Sequence, residues 1–316
     1  MPDLAIIGAG VMGANHGRVA RTINEFTVTA VHDPDAARAA ALAASIGAKH
    51  ATDVDEAIAA ADAVVLATPS DTHGDLGERV LRAGRDLLVE KPIATTVEDA
   101  DRLIEAAKAN NRVLMVGHVE RFNPAVVELE SLVDQPIWID IARNGPFTGR
   151  LLADVVLDLM IHDVDLARTL AGAEVVEHHA MAQVVRSGEA DLACALLRFS
   201  NGVVANITAS RVSQNKVRRV VLTQRENSVV ADLLRQQVEV HRIEHSEYLD
   251  EGGVRYRQSG LVEIPFLSQY GEPLMHELRH FAKCVIDRSQ PKVSGEDGRA
   301  ALQVCLALRD SALARA

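Results

Sequence analysis

A set of polar side chains within an apolar stretch is the first candidate for chemistry. Between Asp154 and Gly172 the sequence DVVLDLMIHDVDLARTLAG is apolar almost throughout, but polar residues recur at steps of four, four, three and four. These steps predict one buried helix with its polar side chains on a single face. Two of them, a carboxylate and an imidazole, lie four residues apart on one helix face and are residue types suited to acid–base chemistry. The set is Asp154, Asp158, His162, Asp165 and Thr169.

A metal site or a salt-bridge network could also account for this polar stripe. A histidine and an aspartate at this spacing could bind a metal, although the sequence shows no further cluster of metal ligands. A network of buried salt bridges would also place such residues on one helix face. Asp163 lies beside the stripe, and we expect it to be a structural hydrogen-bonding residue. No role follows from the sequence for Asp154 or Asp165.

The segment Glu90-Lys91-Pro92 supplies a second reactive group. Proline restricts the residue before it to an extended backbone, which fixes the direction of Lys91 at the end of the predicted strand DLLVE. An ammonium group there could donate a hydrogen bond to a substrate hydroxyl and stabilise the alkoxide charge that develops on it. A surface lysine without a role is the alternative, which the proline and the strand end disfavour.

The N-terminal sequence LAIIGAGVMG predicts a dinucleotide-binding loop. A short apolar strand runs directly into Gly8-x-Gly10-x-x-Gly13 and then into a helix. In such a loop the first glycine permits a tight turn, the second lets a pyrophosphate approach the backbone, and the third allows the helix to pack on the strand. We assign this loop and the first helical residues, Val11 and Met12, to cofactor binding.

Asp33 ends the second predicted strand, FTVTAVHD, 20 residues after Gly13. A carboxylate at this distance accepts hydrogen bonds from the adenosine ribose and repels a 2′-phosphate, so NAD is favoured over NADP. Two alternatives remain: the HDPD sequence could form a plain turn at the end of the strand, and Arg38 could serve a phosphate.

Repeated alternation of strands and helices predicts a doubly wound Rossmann domain over residues 1–120. Further strands are predicted in ADAVVLATPS, DLLVEKP and RVLMVGHVERF, and a helix is predicted to begin after Thr96 as its N-cap. Ligands of such sheets bind at the carboxyl ends of the strands. We therefore expect these residues to contact the cofactor: Thr68, Pro69, Ser70, His73, Glu90 and Lys91.

Residues 121–316 are predicted to form a second α/β domain. After a short helix in RFNPAVVELESLV, several stretches alternate apolar and polar residues, including DLACALLRF, VVANITAS, RRVVLTQ, SVVADLL and QVEVHRI. This alternation predicts an open, mostly antiparallel sheet. The polar segment HSEYLDEGGVRYRQSG is typical of an extended loop or hairpin, and two helical stretches close the chain.

Length, charge and composition limit the classes of protein. A chain of 316 residues is long enough for two domains. Its net charge of -11 argues against nonspecific binding to nucleic acid. No stretch approaches the ~18 apolar residues of a membrane span, and the N-terminus lacks a basic secretion signal, so we expect no membrane association and a cytoplasmic location. Three widely spaced cysteines, Cys194, Cys284 and Cys305, are expected to be buried, reduced thiols.

Five motifs in order, GAGVMG, ATPSDTH, EKP, GHVERFNP and DLMIHDVD, resemble the glucose–fructose oxidoreductase, inositol 2-dehydrogenase and MocA (Gfo/Idh/MocA) family over essentially the whole chain. The resemblance implies a Rossmann domain that binds NAD(P) and a second domain whose open sheet supports a homodimer or homotetramer. It also implies oxidation of a sugar or cyclitol hydroxyl to a ketone without a metal. The family's catalytic lysine falls on Lys91, and its Asp-x-x-x-His motif falls on Asp158 and His162.

Several stretches, such as GPFTGR and NGVVANITASRVS, are more similar to bacterial UDP-N-acetylglucosamine 3-dehydrogenases of lipid A synthesis than to inositol dehydrogenases. This likeness implies a UDP-sugar as substrate. The fork of an arginine suits a diphosphate, and we expect one or two of four arginines in the cleft to touch it. The alternatives are a free sugar or cyclitol as substrate and a non-enzymatic regulator that binds NAD as a signal. Candidate substrate-binding residues are His118, Arg121, Asn123, Arg143, Arg150 and Arg211, with the three catalytic ones.

Overall fold

The computed structural model describes residues 1–148, 153–250 and 253–313, with side chains outside 245–258 and residue 313. The chain divides into two compact units. The first comprises Met1–Phe122 and Gly271–Leu306, and the second comprises Asn123–Tyr270 and the chain from Ala307 onward. Within the described ranges, no helix is both long and apolar enough to cross a membrane.

The first unit is built on a parallel sheet of six strands, which confirms the predicted Rossmann fold. The strands are β1 (Asp3–Ile7), β2 (Thr27–His32), β3 (Lys49–His50), β4 (Ala63–Leu66), β5 (Asp86–Glu90) and β6 (Leu114–Gly117). They lie side by side in the order β3-β2-β1-β4-β5-β6. The order reverses between β1 and β4, which is where dinucleotides bind to sheets of this kind.

Helices connect these strands, and their boundaries follow local signals in the sequence. They are α1 (Val11–Ala20), α2 (Ala36–Ile46), α3 (Val54–Ala59), α4 (His73–Arg82) and α5 (Val97–Ala109). Thr96 is the N-cap of α5, as predicted, because its side chain accepts a hydrogen bond from the Asp99 amide. Short 3-10 turns at Ser70–Thr72 and Val119–Phe122 follow the ends of β4 and β6.

The second unit contains an open sheet of eight strands. Its strands are β7 (Pro136–Asn144), β8 (Val175–Gln183), β9 (Leu192–Phe199), β10 (Val204–Ser210), β11 (Val217–Gln224), β12 (Ser228–Asp232), β13 (Gln237–Asp250) and β14 (Gly253–Glu263), and its helices are α6 (Pro124–Ser131) and α7 (Ile161–Ala171). The strand order is β14-β13-β12-β11-β7-β10-β9-β8. β7 and β10 are parallel and the other pairs are antiparallel, so the predicted sheet type is confirmed.

One face of this sheet forms a core, and the other carries apolar side chains at the surface. Ile139 and Ile141 of β7 are fully buried, while the alternate residue Trp138 is exposed. On β9, Cys194 and Leu196 lie on the open face. Cys284 and Cys305 are buried as expected, but the expectation for Cys194 was wrong, because alternation along a strand directs every second side chain away from the core.

The two closing helices are α8 (Pro273–Asp287) and α9 (Gly295–Leu313). Residues 271–306 group with the first unit, although the sequence places them in the second predicted domain. α8 packs against α1 and the 3-10 turn Val119–Phe122, with the rings of Phe26 and Phe281 5.7 Å apart between centroids. A sequence shows which face of a helix is apolar, but it does not show which part of the protein covers that face. The functional division at residue 120 stays a prediction.

The segment predicted as one helix from Asp154 has two parts. Val156–Met160 is a π-helical turn, and α7 follows it directly. Asp154 caps this segment, since its carboxylate accepts hydrogen bonds from the amides of Val156 and Leu157. A π-turn holds one more residue than an α-turn, so the strict α-helical spacing of the polar stripe does not hold at Asp158. Such turns are frequent at functional sites.

Candidate active site

The glycine loop of the first unit has the geometry of a pyrophosphate cradle. Gly8 has a φ of 100°, and a Cβ there would collide with the Ala67 carbonyl. A Cβ on Gly13 would collide with the Gly8 carbonyl, so α1 can pack this closely only without a side chain. A Cβ on Gly10 would meet no described atom within 4 Å. The space above Gly10 is therefore open to a ligand.

Gly10 is also the N-cap of α1, so no side chain covers this end of the helix. The first turn of α1 contains no acidic residue. Val11 is half-exposed and Met12 is partly buried beside it. Backbone N–H groups and the positive end of the helix dipole are therefore available to an anion, which fits the predicted role of these residues.

Asp33 is held against this loop by hydrogen bonds. Its Oδ2 accepts from the Ala9 amide at 2.7 Å, and its Oδ1 accepts from the Asp35 amide at 2.8 Å and from Arg38 at 3.1 Å. Arg38 also pairs with Asp35 at 3.0 Å. Two carboxylates thus compensate Arg38, which lowers its value as a phosphate ligand. Asp33 fits a carboxylate that accepts from ribose hydroxyls.

Four predicted cofactor residues lie beyond the carboxyl end of β4: Thr68, Pro69, Ser70 and His73. The His73 ring is fully buried between two carbonyls, with Nδ1 2.9 Å from the Pro92 oxygen and Nε2 3.0 Å from the Thr68 oxygen. Burial lowers the pKa of His73 despite these two acceptors. Its ring nitrogens are both engaged, so this geometry ties the loop after β4 to the Glu-Lys-Pro segment.

Glu90 and Lys91 lie at the carboxyl end of β5. Glu90 is buried, and its Oε1 lies 2.7 Å from Nε2 of His16 on α1. Burial would raise the pKa of Glu90, but the hydrogen bond and charge of His16, together with the charge of Lys91, lower it. The Lys91 side chain is half-buried, and its peptide bond to Pro92 is cis. Sequence reasoning missed His16, which is a single histidine inside the helix after the glycine loop.

His118 and Arg121 follow β6 and are both buried in the first unit. Arg121 donates to the Lys292 carbonyl at 3.2 Å. Asn123 begins the second unit, where its Oδ1 caps α6 through the Ala125 amide and its Nδ2 donates to the Leu233 carbonyl at 3.0 Å. These bonds position the backbone, and substrate contacts by these three residues stay predictions.

Asp158 and His162 of the polar stripe in the second unit are half-buried, as is Thr169. Asp158 lies on the π-turn, and His162 lies in the first turn of α7. Asp165 is buried, and the Thr169 hydroxyl donates to the Asp165 carbonyl at 2.9 Å. Partial exposure leaves Asp158 and His162 accessible to a substrate, as acid–base chemistry requires.

Arg143 is placed differently from its predicted role. Its Nε and Nη2 donate to the Asp163 carboxylate at 2.8–2.9 Å, and both side chains are buried. This ion pair agrees with a structural role for Asp163. It also turns the Arg143 fork toward α7, so Arg143 is a weak candidate for a phosphate ligand.

Among the candidate arginines that the structure describes, Arg211 has the geometry that best suits an anion. Its side chain is 8% exposed, its Nη2 donates to the Ala153 carbonyl at 2.7 Å, and the same atom lies 3.7 Å from Oδ2 of Asp158. Its Nε and Nη1 are buried without a hydrogen-bond partner among the described residues. A buried guanidinium with two unused donors favours an acceptor such as phosphate. Arg150, the fourth predicted arginine, lies outside the described residues.

The first unit thus supplies a dinucleotide cradle, and the second supplies a half-buried carboxylate and imidazole. Together these features define the class of dinucleotide-dependent oxidoreductases. Residues 3–118 match the model of an oxidoreductase family with an NAD-binding Rossmann fold, and residues 126–230 match the GFO/IDH/MocA C-terminal domain. The chain belongs to the Gfo/Idh/MocA family, and its cofactor is NAD.

Relatives match over nearly the full length. The UDP-N-acetylglucosamine 3-dehydrogenase of Acidithiobacillus ferrooxidans is 32% identical over 96% of this chain and 95% of that protein. A solved structure of that enzyme superposes with a TM-score of 0.90 and covers 99% of this chain and 98% of its own. The scyllo-inositol 2-dehydrogenase of Bacillus subtilis is 28% identical, over 97% of this chain and 93% of that protein.

Proposed function

We propose that this protein oxidises the 3-hydroxyl of UDP-N-acetylglucosamine to a ketone, with NAD as oxidant. The observation that carries the proposal is the whole-length similarity to the Acidithiobacillus ferrooxidans enzyme of that activity, which exceeds the similarity to the inositol dehydrogenase. Both kinds of relative are dehydrogenases, one of a sugar nucleotide and the other of a cyclitol. The substrate is the point at which they differ.

The cofactor would be held by the glycine loop and Asp33. Gly8, Gly10 and Gly13 keep the backbone open to the pyrophosphate, and Asp33 would accept hydrogen bonds from the adenosine ribose. Bound NAD supplies the acceptor for the hydride that leaves the sugar carbon. Strands β4 and β5 end at the same edge of the sheet as this loop, so the residues that follow these strands lie at that edge.

Three side chains of this chain would act on the substrate. His162 would take the hydroxyl proton, because an imidazole is a base near neutral pH and its side chain is partly accessible. Lys91 would stabilise the alkoxide as it forms. Asp158 would orient the substrate, with Arg211 3.7 Å from its carboxylate as a counter-charge. The proton ends on His162 and is later released to solvent.

Arg211 would bind the diphosphate of the nucleotide sugar. Its Nη2 is anchored to the Ala153 carbonyl, which leaves the buried Nε and Nη1 for phosphate oxygens. A free sugar has no anionic group. A residue that binds phosphate should therefore affect the KM for a nucleotide sugar and have little effect on the KM for a free sugar.

The test is NADH formation with UDP-N-acetylglucosamine, free N-acetylglucosamine and myo-inositol. We expect turnover with the nucleotide sugar, and a rise in its KM in Arg211→Lys, since lysine cannot offer a planar fork. Arg235→Lys is the matched control, because Arg235 is exposed and pairs with Asp232 at 3.3 Å. Turnover with myo-inositol alone would replace the proposal with the inositol-type activity that the relatives at 28% identity favour. NAD binding without turnover of any sugar would favour a regulator.

We also propose assembly into a homodimer or homotetramer through the second unit's sheet, and action in the cytoplasm. The open face of this sheet carries the exposed apolar side chains Trp138, Met181 and Leu196. Apolar side chains grouped on one face of a sheet favour a protein partner. Light scattering of the purified protein would test the assembly, and a monomer at micromolar concentration would contradict it.

A further inference from the structure

Glu277, on α8, is an unusual residue for the interior of a protein. Its relative exposure is 0%, and neither carboxyl oxygen has a hydrogen-bond partner among the described residues. A buried, unpaired carboxylate is far more costly than a buried neutral acid. Glu277 is therefore expected to stay protonated at neutral pH unless a cation lies beside it.

The charge that acts on the Glu277 carboxyl is the negative charge of Glu90. Burial raises the pKa of Glu277 well above its ordinary value, and the charge of Glu90 raises it further. Glu90 itself keeps its charge, because its Oε1 lies 2.7 Å from His16 and its Oε2 accepts from the Lys91 amide at 3.3 Å. Two buried acids near each other ionise one at a time, and the better-paired acid ionises first.

Charged and titratable groups lie on the elements that pack against α8 and on α8 itself. α8 packs against α1, which carries His16, and against the 3-10 turn Val119–Phe122. That turn carries Glu120 and Arg121, which are both buried. Glu90 itself ends β5, and Lys91 follows it. The groups on these neighbouring elements are His16, Arg18, Glu90, Lys91, Glu120 and Arg121, and those on α8 are His276, Arg279, His280, Lys283 and Asp287.

We propose that Glu277 is a positioning residue that holds a proton. Glu277 and Glu90 together carry one proton at neutral pH. A single negative charge, on Glu90, therefore lies beside Lys91. The consequence for the cofactor rests on the proposed NAD-dependent function. The nicotinamide ring is positive in NAD+ and neutral in NADH. Ionisation of Glu277 would add a second negative charge within electrostatic range of Glu90, and this charge would stabilise NAD+ relative to NADH and so oppose hydride transfer.

The proton can be tested without any cofactor. Infrared spectra of the apo protein should show the carbonyl band of a buried protonated carboxylic acid, and this band should be lost in Glu277→Gln. Glu105→Gln, an exposed glutamate on α5, is the matched control and should keep the band. If Glu277→Gln fails to fold, Glu277→Met removes the same group with an apolar chain of similar length. An unchanged band in these variants would overturn the assignment.

The link to the cofactor is tested by the ratio of NAD+ to NADH affinity across pH. As pH rises through the titration of Glu277, the wild-type ratio should shift toward NAD+, by at most tenfold per pH unit because one proton is linked. The shift should be smaller in Glu277→Gln and unchanged in Glu105→Gln. An identical pH dependence in wild type and Glu277→Gln would overturn the link. If neither NAD+ nor NADH binds, the proposed function and the link between Glu277 and the cofactor both fail. The infrared band still shows whether Glu277 is protonated.

Discussion

Replacing Asp33 by asparagine should weaken the discrimination between NAD and NADP. The Asp33 carboxylate is 8% exposed and is fixed at the end of β2 by the amides of Ala9 and Asp35. A 2′-phosphate on a ribose bound there would bring two negative charges to roughly 4 Å, which costs about 4 kcal/mol at an effective dielectric of about 20. Arg38 compensates part of the carboxylate charge, so we assign roughly half, about 2 kcal/mol, to discrimination.

This energy corresponds to about a thirtyfold change in the ratio of NAD to NADP affinity. Asp33→Asn removes the charge at nearly constant shape and also releases one of the two carboxylates that hold Arg38. Isothermal titration with both cofactors measures the ratio directly. Asp35→Asn is the matched control, because Asp35 also pairs with Arg38 but is half-exposed and caps α2. A ratio unchanged in Asp33→Asn, or changed equally in Asp35→Asn, would refute the role of Asp33.

Three further predictions concern other parts of the chain. Asp163→Asn should lower the free energy of unfolding by about 3–5 kcal/mol in urea titrations, because it removes the buried negative charge that pairs with the Arg143 guanidinium. A loss below about 1 kcal/mol would contradict this. The contribution of Glu277 to the free energy of unfolding should fall as pH rises above the ordinary glutamate pKa of about 4.3, by up to about 1.4 kcal/mol per pH unit, because folded Glu277 has a raised pKa and binds its proton more tightly than the unfolded chain does. Denaturation of Glu277→Gln across pH should lack this component, and equal slopes in the two proteins would contradict it. Thr96→Ala should lower the free energy of unfolding by about 1 kcal/mol, because α5 loses its N-cap hydrogen bond. Thermal unfolding measures this change, and an unchanged midpoint would show that solvent replaces the bond.

Local signals in the sequence were sufficient for the Rossmann sheet and the glycine loop of the first unit. The apolar strand, the three glycines and the acid after β2 are consecutive features, and each has a direct geometric meaning. The carboxyl ends of β4 and β5 follow from the parallel sheet, so Lys91 could be located without knowledge of its neighbours. Thr96 was identified from its position before a helical stretch.

Long-range partners could not be predicted from the same signals. Arg143 and Asp163 are far apart in the sequence, and their pairing depends on how α7 packs on β7. His16 contacts Glu90 across 74 residues, and the charge of Glu90 acts on Glu277 only because α8 groups with the first unit. The π-turn also escaped prediction, because its apolar pattern matches that of an α-helix.

The central claim is tested most directly with UDP-N-acetylglucosamine that carries deuterium at C3 of the sugar. Incubation with this protein and NAD, followed by mass spectrometry, should show deuterium in the reduced cofactor and a 3-keto nucleotide sugar. His162→Gln should abolish the transfer while NAD still binds, because the base for the hydroxyl proton is lost. Reduced cofactor without deuterium, or reduction by myo-inositol and none by the nucleotide sugar, would contradict the proposed function.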